Sequence, residues 1–111
     1  MKFEVKGHTA LVCKSQPTTA GFLKSFDDLY PEIKSKNIII SLLDFQSLDL
    51  LFFDRLLQIS KVHQKAKRSF VIVSLKSIPD SIDEDLICVP THKEAYDLIE
   101  IEEMQRDLGI K

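Results

Sequence analysis

Histidines, cysteines and paired carboxylates are the side chains that could do chemistry in this 111-residue chain. His8, His63 and His92 lie far apart, and none stands in an H-x-x-x-H or H-x-H pair that would bring two imidazoles to one metal ion. Cys13 and Cys88 each sit in an apolar run, the setting of a buried reduced thiol rather than of a disulfide or redox pair. Neither stands at a helix N-terminus or a glycine-bearing elbow, where a thiolate nucleophile would be activated. Asp44 and Asp49 flank one loop and could share acid–base work, but Asp49 better suits the positive end of the next helix. The three glycines, Gly7, Gly21 and Gly109, are scattered, so no glycine loop can cradle a phosphate. Lys61, His63, Lys65, Lys67 and Arg68 gather where a helix should end, and cations there complement the helix dipole. Asp80, Asp83, Glu84 and Asp85 lack the alternation and glycine of a calcium loop. The pattern predicts no catalytic residue, no metal ligand and no cofactor.

The elements that position these residues are easier to read. Ile38 to Leu42 form an apolar strand, Leu48 to about Lys67 an amphipathic helix, and Phe70 to Val73 a second apolar strand. That is a βαβ unit, which implies a parallel strand pair with a helix across one face. Its strand–helix loop holds Leu43, Asp44, Phe45, Gln46 and Ser47, at the carboxyl end of a parallel strand, where open α/β sheets place their binding sites. Upstream, Phe3–Lys6 and Ala10–Cys13 flank Gly7-His8 as a hairpin. Thr19 is the expected cap of a helix carrying Phe22, Leu23, Phe26 and Leu29, ending near Pro31. Downstream, Leu86–Val89 is a short strand stopped by Pro90. Thr91 and Glu94 form a capping box for a last helix that runs to about Leu108. The order β-β-α-β-α-β-β-α predicts one α/β domain over residues 1–111, with a mixed four- to five-stranded sheet and helices mainly on one face.

Composition sets limits on function. An apolar share of 44% with 29% charged residues is that of an ordinary globular domain. A net charge of −2 provides no general attraction to nucleic acid or anionic membrane. No apolar run approaches the roughly 20 residues of a membrane span. Residues 1–6 alternate in polarity, unlike a signal peptide or lipidation signal, so a cytoplasmic protein is expected.

Helical spacing separates two faces of the middle helix. Phe52, Phe53, Leu56, Leu57, Ile59, Ser60 and His63 share one arc, which must face the sheet. Leu51, Arg55, Gln58 and Val62 make a half-apolar stripe on the solvent side, read either as stray surface aliphatics or as a contact stripe for a partner. The last helix has a similar split. Ala95, Leu98 and Ile99 share one face, while Ile101, Met104 and Leu108 share another that is either covered within the fold or docks on another chain, such as a second copy.

The run from Asn37 to Ile99, "NIIISLLDFQSLDLLFFDRLLQIS…VIVSLK…LICVPTHKEAYDLI", resembles the STAS domain family, the anti-sigma-factor antagonists and their relatives. The likeness rests on the apolar strand, helix and strand pattern, on Pro90-Thr91 and on Glu94-Ala95. It implies a bacterial, non-enzymatic regulatory module that binds a protein partner, kinase-like or another signalling protein, as a monomer or weak homodimer. Phospho-switching members carry Asp-Ser-Ser-Gly or Asp-Ser-Thr-Gly at the start of this helix, where phosphorylation adds charge at a helix N-terminus. Here Asp49 aligns with the motif aspartate, Leu50 stands for the serine, Leu51 comes after it and Phe52 replaces the glycine. Leucines in those places favour constitutive apolar docking through Asp44, Phe45, Gln46, Leu48, Leu51, Arg55 and Val62. The alternative is a phospho-regulated antagonist that uses Ser47, the nearby hydroxyl, which otherwise serves as a helix cap.

Overall fold

The computed structural model describes residues 2–13, 18–43, 50–75 and 86–109. Strands β1 (Lys2–Lys6) and β2 (Thr9–Cys13) form the expected hairpin, with Gly7 at φ +62° in the first central position, where glycine carries a left-handed turn without strain. Next along the chain come α1 (Thr19–Ile33), β3 (Asn37–Ser41), α2 (Leu50–Lys65), β4 (Phe70–Val73), β5 (Cys88–Val89) and α3 (His92–Asp107). The five strands lie in sequence order. β1 is antiparallel to β2, and every later neighbour is parallel. The fold is therefore α/β with a five-stranded mixed sheet.

Parallel strands covered on both sides must be apolar throughout, and β3 and β4 are buried along their whole length. Successive side chains serve opposite cores. Ile38, Ile40, Phe70 and Ile72 pack under α1 and α2 with Phe22, Phe26, Phe52 and Leu56. Ile39, Val71 and Val73 pack on the other side against Ala95 and Ile99 of α3. Among the described residues helices therefore cover both faces, two on one and one on the other. The expectation of one main face fits α1 and α2, and α3 departs from it.

Three boundaries also differ from expectation. The cap of α1 is Thr18, not Thr19, with its hydroxyl accepting from the Gly21 amide at 3.0 Å. Pro31 lies inside α1 because the helix continues to Ile33, whose burial anchors the final turn. Proline that close to an end removes only one helical hydrogen bond. The strand expected from Leu86 shortens to Cys88–Val89, although Leu86 itself is buried. The cap of α3 is Thr91, as expected, accepting from the Glu94 amide at 3.1 Å.

The close of α2 carries an unusual backbone. Lys67 donates to the Gln64 carbonyl, Arg68 donates to the His63 carbonyl, and Lys67 stands at φ +67°. This is a Schellman ending with lysine in the left-handed position that glycine usually takes.

Candidate functional site

The α1–α2 seam presents an apolar surface. Phe52, Phe53, Leu56, Ser60 and His63 turn inward and are buried, with Leu57 and Ile59 half-buried, as the helical arc requires. Leu51 and Val62 point the other way and are 78% and 64% exposed. They stand eleven positions apart, about 16 Å along the axis. Alongside Val62 runs a groove of about 290 Å³ lined by Phe26, Asp27, Tyr30, Arg55, Gln58 and Ile59. Arg55 Nη2 donates to both Asp27 carboxylate oxygens at 3.2 Å, tying α2 to α1 across the groove. Both side chains are nearly half exposed, so this pair contributes at most about 1 kcal/mol and is easily opened.

His63 braces Tyr30 behind the groove. Its Nε2–H donates to the Lys36 carbonyl at 2.7 Å, and its Nδ1 accepts from the Tyr30 hydroxyl at 2.8 Å. The ring meets Tyr30 and Phe70 edge-on. Burial holds the imidazole below its usual pKa, and the nearby Arg68 charge acts the same way against the Lys36 hydrogen bond. Burial also raises the Tyr30 hydroxyl pKa, keeping the proton it donates. His63 is thus a buried, neutral bridge with both ring nitrogens engaged.

The other histidines are placed elsewhere. His92 opens α3 and hydrogen-bonds through Nε2 to Ser41 Oγ at 2.9 Å, joining that helix to the carboxyl end of β3. Ser41 is buried. His8 lies exposed in the hairpin turn. Among the described residues no group of three or more His, Cys, Asp or Glu converges as metal ligands. Cys13 and Cys88 are half-buried rather than buried, since one sits at a strand end and the other in the short edge strand β5.

Of the expected contact residues, Leu51, Arg55 and Val62 share the outer side of α2. Asp44, Phe45, Gln46, Ser47 and Leu48 lie outside the described residues. Asp27 and Tyr30 of α1 complete the groove, and neither is among the expected contacts. Asp27 directly follows core residue Phe26, so it borders any seam with a neighbouring helix, but α1 alone does not reveal which helix that is. Ile101, Met104 and Leu108 remain exposed along the outer side of α3. No helix among the described residues is long and apolar enough to cross a membrane.

No family model and no curated protein sequence matches the chain. The NMR structure of the protein TM1081 is similar to it, with a TM-score of 0.67 and 16% identity, over 88% of this chain and 86% of that one. At that identity the likeness is one of fold.

Proposed function

We propose that this chain is a non-enzymatic, STAS-type interaction module that docks a protein partner on the outer side of α2. The observation that carries this reading is the exposure of Leu51 and Val62 on the outer side of α2, with Val62 lining the α1–α2 groove. A side chain as apolar as leucine or valine gains from leaving water, and an aromatic-floored groove between two helices can receive it or its counterpart. Arg55 and Asp27 supply a polar rim that orients the partner. Support for the STAS assignment comes from the β-β-α-β-α-β-β-α order and the Pro90-Thr91 helix start. Leucine rather than serine at positions 50 and 51 favours docking without a phosphate switch.

A photo-crosslinking residue at position 51 or 62, compared with one at Glu100 on α3, tests the proposal. The expected result is one discrete adduct from positions 51 and 62 and none from 100. The Leu51→Asp, Val62→Asp double variant, shown folded by circular dichroism, should lose recovery of that partner about tenfold or more. Equal recovery by wild type and double variant would overturn the docking site. Phosphate found on Ser47 by intact-mass and fragment spectra would replace constitutive docking with the phospho-regulated reading.

A further inference from the structure

The amino ends of the parallel strands hold a cavity of about 530 Å³, at the opposite end of the sheet from the strand–helix loop. Lys67 and Arg68, just past α2, stand on one wall. Glu103, Arg106 and Asp107, in the last turns of α3, stand on the other. These charges do not neutralise one another. Among the described residues the ion pairs are Arg55–Asp27 and Lys93–Asp97, and neither includes a cavity side chain.

Neutral oxygens instead hold both guanidinium groups in place. Arg68 donates through Nε to the Ser35 carbonyl at 2.8 Å and through Nη1 to the Lys67 carbonyl at 3.2 Å. Arg106 donates to Ser69 Oγ at 3.1 Å and to Asn37 Oδ1 at 3.3 Å. Those acceptors are fixed in turn. Asn37 Oδ1 also receives the Ser69 amide, the Ser69 hydroxyl donates to Glu102, and both Asn37 and Ser69 are buried. Both guanidinium groups are therefore preorganised, Arg106 sharing the Ser69 hydroxyl with Glu102 and Arg68 held by backbone carbonyls alone.

The ends of α1, α2 and α3 all reach this region, and their negative dipole ends account for the cations. They do not account for Glu103 and Asp107. These carboxylates stand four apart on one helix and near its negative end, two placements that each disfavour an acid. Lys67 adds a third local conflict, being the sole non-glycine residue at positive φ among those described. Conflicts gathered around one cavity mark a place kept for something other than stability.

We propose that this cavity binds a small zwitterion, with its phosphate or carboxylate toward Lys67, Arg68 and Arg106 and its protonated amine toward Glu103 and Asp107. The volume falls in the range of small-molecule sites. Binding would let the ligand satisfy both walls at once, where a simple anion or a simple amine would meet one partner and one repulsion.

The full chain, isotope-labelled, can be titrated by NMR with five probes. Phosphoethanolamine and 4-aminobutyrate carry both charges, while inorganic phosphate, acetate and ethylamine carry one sign each. At least one double-charged probe should shift the amides of Asn37, Lys67 and Gly109, and bind about tenfold tighter than any single-sign probe. Arg68→Gln and Glu103→Gln should each weaken that binding by about tenfold. Phosphoethanolamine binding without 4-aminobutyrate would identify the acid as a phosphate, and the reverse a carboxylate. No shift with any probe would overturn the proposal. So would phosphate alone binding as tightly as phosphoethanolamine, or Glu103→Gln tightening the anion's hold, since the carboxylates would then be mere repulsion. Neither result bears on docking at α2.

Discussion

The α1–α2 seam and the amino-end cavity are built from opposite materials. The seam is apolar and aromatic, with Phe26, Tyr30, Ile59 and Val62 around one loose ion pair. The cavity is polar, and its charged groups are aimed by Asn37, Ser69 and backbone carbonyls. A surface of the first kind gains from shedding water and accepts many shapes. One of the second kind gains only when a ligand matches its charges in position and sign. The molecule thus divides apolar burial and aimed charge between two regions.

Phe26→Ala is the hardest test of that division. Phe26 is buried in the larger core and also floors the groove, so its loss should cost about 3–5 kcal/mol. Chemical denaturation would measure it, and a cost below that of any cavity substitution would invert the comparison. Asn37→Ala comes next. It strips the Ser69 amide and Arg106 of their shared acceptor and should cost about 1–3 kcal/mol by the same measurement. A negligible loss would mean that the network positions charge without supporting the fold, which sharpens the division.

The smallest effect belongs to His63 and to pH. Its folded pKa lies below the unfolded value of about 6.5, so its neutral form favours the native state. That contribution is complete above about pH 6.5 and is lost as the pH falls toward the lowered folded value. Melting temperatures should fall over that window in wild type and fall less in His63→Phe. Identical slopes would remove His63 as the sensitive group of the seam.

How much of this was legible depends on sequence distance. The inward arc of α2 could be read from helical period because every contributor lies within twelve positions, Phe52 to His63. Its outer stripe came from the same wheel. The placement of α3 could not be read that way. Ile38, Ile39 and Ile40 are apolar without alternation, so nothing in β3 indicates which helix each residue meets. Asn37, Ser69 and Arg106 are separated by 32 and 37 positions, and their meeting depends on strand register and the angle of α3. Lys67 and Arg68 were visible as part of a basic helix end. Their placement across a cavity from Glu103 and Asp107 was not, since no local pattern links the ends of two different helices. Thr18 and Thr19 are chemically identical neighbours, so only backbone geometry chooses the cap.

The two margins of the sheet bear on how the protein behaves in a crowd of its own copies. An unpaired strand is a template on which another chain can add. β5 offers only two residues, too few to seed such growth. β1 offers five, but Glu4 sits at its centre. Antiparallel self-pairing about that residue would set Glu4 against Glu4, so like charges would oppose each other at the middle of the strand. In that register the strand that completes the sheet opposes its own extension.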